Sequence, residues 1–314
     1  LVGRIVKGVK DFFDVYIEEE NEYKGKIIAC NSRGAFRKNS VRLKPLVGDI
    51  TDIEINKNQR DINETWGVIK TIAERKNFLK RPPVANLDIL FIVTSVKSPS
   101  PSYFFIDKLT VTAVENDITP VIIINKTDLS PDDDELYNIY SKTGFKTIKT
   151  SALSQDMSGV NEIKNEMRGK ICAFAGASGA GKSSILNNLF GYLNLDTGAL
   201  SDKIERGKHT TRTVELFKNN LGGYAADTPG FGVLDFETGN YIMKENLIFA
   251  FPDMIGYSTD CKYTKCTHIK EEGCKIIESV NDNKIAKTRH ESYITIYDIL
   301  KNQKFVKQQD RAGK

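Results

Sequence analysis

The residues best suited to chemistry lie in Gly176-Ala177-Ser178-Gly179-Ala180-Gly181-Lys182-Ser183-Ser184, which fits the phosphate-cradling pattern GxxxxGK[ST]. The glycines let the backbone turn tightly and aim N–H groups inward, and a helix starting behind them adds positive potential for an anion. Lys182 would reach the β- and γ-phosphates of a nucleotide, and Ser183 would offer its hydroxyl to Mg²⁺. A glycine-rich connection with no ligand has no need of the Lys-Ser pair. Upstream, Asn125-Lys126-Thr127-Asp128 closes an apolar run, Pro120 to Ile124. A carboxylate at Asp128 can accept from both N1–H and the exocyclic amine of guanine, a donor pair that adenine lacks. Asn125 would hold the loop or touch the base edge, and the Lys126 stem would cover the ring. Alone this tetrapeptide also reads as a turn after a strand; its weight comes from the phosphate loop beside it. Backbone N–H groups of Ser151 and Ala152, within Thr150-Ser151-Ala152-Leu153, could donate to the guanine carbonyl.

Two further segments follow the phosphate loop. Asp227-Thr228-Pro229-Gly230 is a DxxG sequence, in which the Asp stands by Mg²⁺ and the Gly N–H by the γ-phosphate. In Gly207-Lys208-His209-Thr210-Thr211, either Thr210 or Thr211 could complete the Mg²⁺ shell, and loss of nucleotide would release the segment. Many GTPases place a water-orienting Gln after the DxxG glycine. Here that position is Phe231, so His209 becomes the candidate for positioning water; a capping or RNA-contacting role is the alternative for it.

A second constellation lies near the C-terminus. Cys261, Cys266, His268 and Cys274 form a Cys₃His set suited to tetrahedral Zn²⁺, with no open position left for catalysis. Five cysteines, odd in number and mostly in this cluster, argue for a reducing cytosol and against a disulfide scaffold. Cys30 and Cys172 sit in apolar runs and read as core.

The elements that must position these residues follow from the patterning. The 314 residues allow two or three domains, and no apolar run is long enough to span a bilayer. Leu1 to Lys10 lack a signal-peptide core, which argues against export, and the chain starts without Met, as a processed or trimmed start would. Residues 1–75 alternate in short runs around Ile5, Val15, Ile28 and Ile53, as in a small closed barrel of the OB type. Arg33, Arg37, Lys38, Arg42 and Lys44, with Phe36 among them, fit a loop on RNA backbone and a solvated loop equally. Ala73 to Pro83 is charged, ends in a proline pair, and reads as a linker. From Leu87 buried strands at 87–93, 120–124, 146–148, 171–175 and 221–226 alternate with helical stretches, the pattern of a parallel sheet covered on both faces. The expected divisions are a barrel over 1–75, an α/β nucleotide domain over 76–240, and a mostly helical zinc-binding domain over 241–314. Its helix spans Asn283 to Leu300, and its tail carries Lys301, Lys304, Lys307, Arg311 and Lys314, either a frayed end or a basic arm. The net charge of +4 allows an RNA partner without requiring one.

The nucleotide motifs are those of small GTPases in permuted order, with base recognition ahead of the phosphate loop. Circular permutation accounts for this, because domain termini often lie close together. A β-barrel, a circularly permuted GTPase and a Cys-x₄-Cys-x-His-x₅-Cys module together resemble the RsgA (YjeQ/YloQ) family of bacterial GTPases, over nearly the whole chain. The resemblance implies a cytoplasmic monomer that uses Mg²⁺ with GTP or GDP and one structural zinc. It implies a partner too, the small ribosomal subunit and its rRNA, whose late assembly the family serves and which stimulates hydrolysis. It also points to His209 in catalysis. The family's third consecutive Thr is Arg212 here.

Overall fold

The computed structural model describes residues 1–32, 36–38, 41–56, 66–80, 82–153, 155–191, 214–227 and 243–302. The N-terminal part is a closed barrel of five strands: β1 (Val2–Val9), β2 (Phe12–Ile17), β3 (Ile27–Ser32), and, after a small hairpin β4 (Phe36–Lys38) and β5 (Val41–Leu43), β6 (Ile50–Ile55) and β7 (Trp66–Ile72). Alternation closes it: Phe13, Val15 and Ile17 on β2 face the interior with Ile28 and Cys30 of β3, while the residues between them stay partly exposed. In β1 the register shifts between Ile5 and Lys7, and Ile5 and Val6 are both buried. That bulge bends the strand. Its first half pairs with β6 and closes the barrel, whereas Lys7 pairs with Glu215 outside it.

The expected linker is a structured buckle. β8 (Phe78–Lys80) and β9 (Pro83–Ala85) form a hairpin. Arg75 clasps Asp49 of the barrel with two hydrogen bonds of 2.7 and 2.8 Å, and Asp49 is fully buried. The buried Asn77 amide donates to the carbonyls of Leu87 and Asp117 and accepts from the Leu87 N–H. Charge and proline suggested a loose connection, but Arg75 pairs with Asp49 of the barrel and Lys76 with Asp88 just ahead of the next strand.

The second region is a six-stranded, mainly parallel stretch of sheet. It contains β10 (Ile89–Ser95), β11 (Thr119–Asn125), β12 (Lys146–Lys149), β13 (Ile171–Gly176), β14 (Glu215–Lys218) and β15 (Tyr224–Asp227), in the spatial order 12-11-10-13-15-14. β10 is buried at every position. Leu90 and Ile92 join one core with the barrel interior, and Ile89, Phe91 and Val93 join another on the opposite face. Helices α1 (Tyr103–Val114), α2 (Glu135–Tyr140), α3 (Ser158–Glu166) and α4 (Lys182–Phe190) cover the faces. β15 begins later than the apolar pattern suggests. The Asn219 carboxamide accepts from the N–H groups of Leu221 and Gly223 and uses those residues for the turn.

The C-terminal region is helical: a 3₁₀ stretch (Lys244–Ala250), then α5 (Pro252–Ser258), α6 (Lys275–Asn281) and α7 (Lys287–Asn302). Asn283, at φ 57°, closes the turn after α6, so α7 starts four residues later than the sequence pattern implies. The module docks on α1. Val111 of α1 lies in a core with Phe251, Met254, Ile296 and Leu300. Inside that junction Arg289, 1% exposed, binds Asp107 of α1 at 2.6 Å and grips Asp253 through Nε and Nη2 at 3.1 and 2.7 Å. Its guanidinium stacks 4.4 Å from the Phe251 ring centroid. Tyr140 donates to the same Asp107 oxygen at 3.0 Å. Burial pushes the Asp107 carboxyl up, against the pull of Arg289. No helix among the described residues is long and apolar enough to cross a membrane.

Removing one partner of a buried ion pair leaves the other charge stranded. Arg289→Met should therefore cost about 3–5 kcal/mol in the unfolding free energy, read from denaturant curves of the full chain.

Candidate nucleotide site and metal centre

The carboxyl ends of β10, β11, β13 and β15 lie along one edge of the sheet, and the site is assembled there. This is where open α/β sheets bind ligands. β13 ends at Gly176 and α4 begins at Lys182, so residues 177–181 form the turn between them. Gly181, at φ 97°, sits before the first turn of α4. A Cβ there would stand 2.1 Å from the Asn125 amide nitrogen. The Lys182 ammonium folds over the loop and donates to the carbonyls of Gly176 and Ala177, each at 2.8 Å. Burial pushes that ammonium below the usual lysine range, so it gains from an approaching phosphate charge. Ser183 and Ser184 follow in the first helical turn, both partly buried.

Asn125 is 1% exposed, and both ends of its amide are committed. Nδ2 donates to the Ala180 carbonyl at 2.9 Å, and Oδ1 accepts from the Ala152 N–H at 3.1 Å. One side chain thus ties the base-side strand to the phosphate loop and to the 151–153 loop. Lys126 takes a left-handed conformation, φ 62°, and its Nζ reaches the Ser98 carbonyl at 2.6 Å. Thr127 bonds the Thr150 carbonyl through backbone N–H and hydroxyl, at 3.3 and 3.2 Å. The Ser151 hydroxyl hydrogen-bonds the Asp128 carboxylate.

The structure therefore brings Asn125, Lys126, Thr127, Asp128, Ser151, Ala152 and the loop 176–184 to one place. Asp227 ends β15, whose neighbour is β13 of the phosphate loop. His209, Thr210, Thr211 and Gly230 lie outside the described residues, as do Arg33 and the tail from 303 onward. Two contributors carried no signal in the sequence. Asn188 of α4 donates to the Ala152 carbonyl at 2.6 Å, and Ser95 donates to the Pro99 carbonyl at 2.7 Å, in the loop that receives Lys126.

The second centre meets the requirements of a tetrahedral metal. The ligand atoms of Cys261, Cys266, His268 and Cys274 all lie within 4.8 Å of one another. The measured edges are 3.5 Å from Cys261 to His268 Nδ1, 3.6 Å from Cys274 to the same nitrogen, and 3.9 Å between Cys261 and Cys274. Metal–sulfur bonds of about 2.3 Å in a tetrahedron give edges of about 3.8 Å, so these residues fit. The His268 carbonyl accepts from Nε2 of His290 on α7 at 2.7 Å, which fixes that ring's tautomer and ties the centre to the long helix. Burial pushes the Glu271 carboxyl up, but hydrogen bonds from Thr267 and nearby backbone N–H groups outweigh it and hold the pKa at about 2. That carboxylate braces the turn between the ligands through Thr267, Ile269 and Lys270.

Comparisons with known proteins agree with this geometry. The family model described as RsgA GTPase matches residues 72–237, and the RsgA N-terminal domain model matches residues 2–62. A protein of Caldanaerobacter subterraneus subsp. tengcongensis named small ribosomal subunit biogenesis GTPase RsgA is 40% identical over 296 residues, 94% of each chain. The crystal structure of YjeQ from Thermotoga maritima is similar with a TM-score of 0.76 and 35% identity, over 96% of this chain and 99% of that one. YloQ, described as a circularly permuted GTPase, is similar with a TM-score of 0.73 and 34% identity, over 96% of both chains.

Gly181→Ala would force a Cβ against the Asn125 amide at a positive φ. It should weaken nucleotide binding at least tenfold, measured by titration calorimetry, with α4 still formed by circular dichroism. A strong chelator should lower the helical signal and the melting midpoint together, and Cys274→Ser should reproduce the loss.

Proposed function

Because the chain belongs to the RsgA family of GTPases, we propose that it hydrolyses GTP to GDP and phosphate on the small ribosomal subunit, late in that subunit's assembly, with the subunit stimulating the reaction. The observation that supports this best is the Asn125 amide, which holds the guanine-side loops and the phosphate loop in one rigid unit. In this reading Asp128 accepts from guanine N1–H and the exocyclic amine, and the Ser151 hydroxyl sets the carboxylate's orientation. The backbone N–H of Ala152 is already used by Asn125, which leaves Ser151 as the backbone donor to the guanine carbonyl. Lys126, fixed at its far end by Ser98, covers the ring. The N–H groups of residues 177–183 and the Lys182 ammonium cradle the phosphates.

The hydroxyl of Ser183 and the carboxylate of Asp227 are hard oxygen donors of the kind Mg²⁺ takes, with Thr210 or Thr211 added when the triphosphate is present. Mg²⁺ bound with the nucleotide would neutralise charge on the phosphates. His209 orients the attacking water, because Phe231 stands where a Gln does so in many GTPases. Zinc at Cys261, Cys266, His268 and Cys274 is structural, since four protein ligands leave no open position. The barrel's basic hairpin and the C-terminal tail supply rRNA contacts, and the protein works in the cytoplasm as a monomer.

Phosphate release should be slow from the protein alone and rise strongly with purified small subunits, for GTP and not for ATP. His209→Ala should lower the stimulated rate about 10²-fold, the lower end for losing a group that manages the attacking water. GTP-dependent subunit binding without any stimulation would instead indicate a nucleotide-gated RNA-binding protein.

A further inference from the structure

The antiparallel hairpin β14–β15 occupies a singular position. The chain enters it from the segment carrying Gly207 to Thr211 and leaves it at Asp227-Thr228-Pro229-Gly230. Glu215, which opens β14, and Asp227, which closes β15, lie directly opposite each other at one end of the ladder. On one side β15 pairs with β13, the strand that feeds the phosphate loop. On the other, β14 pairs with β1 of the barrel through Lys7 and Glu215, whose side chains form an ion pair of 2.9 Å. In the strand order this hairpin is the element through which the nucleotide sheet continues into the barrel.

The barrel also grips the other end of the hairpin. Tyr224, 4% exposed, donates its hydroxyl to Glu18 of the barrel at 2.8 Å. Arg4 holds the same carboxylate through Nε at 2.9 Å and Nη2 at 3.3 Å, and its guanidinium lies 5.5 Å from the Tyr224 ring centroid. The Tyr16 ring meets Tyr224 edge-on at 6.4 Å, and the Lys218 ammonium sits 4.2 Å above Tyr16. These contacts line a groove of about 600 Å³ between barrel and sheet. A barrel that merely shared the chain with the nucleotide domain would have no need to hold this hairpin at both ends.

We propose that the barrel takes part in positioning the hydrolytic machinery: Glu18, Arg4 and Tyr16 act through Tyr224 and Lys218 to set the hairpin's register, and with it the placement of Asp227 at its end. The inference rests on the GTPase reading given above. A strand pair moves as a unit, so a load on the barrel reaches Asp227 together with its partner Glu215. Phosphoryl transfer is sensitive to such shifts, because a misplacement of about 1 Å can cost on the order of 10²-fold in rate. Glu18 and Tyr224 are thus positioning residues.

The test uses the full chain and Tyr224→Phe, which keeps the buried ring and deletes the hydroxyl, with Glu18→Gln, which keeps an acceptor and is expected to retain part of the function. Stimulated kcat should fall about tenfold in Tyr224→Phe with KM for GTP unchanged, the signature of a contact that matters in the transition state. Amide hydrogen exchange in residues 2–17 should differ between the GDP form and a non-hydrolysable GTP analogue in the parent, and that difference should vanish in Tyr224→Phe. A lower melting point with kcat intact would overturn the proposal. So would nucleotide-dependent protection at 171–190 in a parent whose residues 2–17 do not respond. Absence of protection at 171–190 with either nucleotide would overturn the GTPase reading, and this inference with it.

Discussion

The site depends on one buried carboxamide. Asn125 cannot satisfy either end of its amide except through the backbone of another loop, and leaving either end unpaired in this interior would cost about 1–3 kcal/mol. Its donor goes to Ala180 and its acceptor to Ala152, so the phosphate loop and the 151–153 loop are held at fixed distances from the end of β11. Gly181 is the counterpart of that constraint. Any side chain there would collide with the amide, and only glycine takes its φ of 97° without strain. Site geometry is thus set by hydrogen bonds between loops, and the strands beneath supply the rigid base.

The same economy governs how the regions join. β1 serves two sheets because a bulge turns it from β6 toward β14, and burial of both Ile5 and Val6 marks the change. α1 serves two cores: Leu109 and Ala113 pack with the sheet, and Val111 packs with the C-terminal helices. At that second junction Arg289 pairs with two carboxylates from different elements and covers an aromatic ring. Such an arrangement specifies one docking geometry, since each charge is tolerable in the interior only with its partners in place. The segment from Asp227 onward therefore leads into a module that is fixed firmly to the nucleotide sheet.

Much of this was legible from residue order. The glycines and Lys-Ser pair at 176–184 announce a phosphate loop because that backbone path excludes most other residues. The cluster able to hold a metal is legible because thiolates and an imidazole at such spacing have little other common purpose. The run at 87–93 reads as a doubly covered strand, and β10 is buried throughout. The barrel's fifth strand, Trp66–Ile72, was less visible, since its two exposed positions, Lys70 and Thr71, break the alternation. The stretch 73–83 misled for a related reason. Charge and proline describe a segment's solubility, but they carry no record of Asp49, which lies far away in the chain and makes Arg75 an interior clasp.

Local sequence determined where the phosphate-loop pattern, the Asn-Lys-Thr-Asp turn and the Cys₃His set lie, because those features belong to side-chain chemistry and to short backbone turns. Tertiary structure alone decided that Asn188 and His290 support the two centres, that Tyr224 reaches Glu18, and that Arg289 finds Asp107. Each of these is a contact between residues distant in the chain. Its partner is chosen by how sheets and helices pack, and no spacing within either segment encodes it.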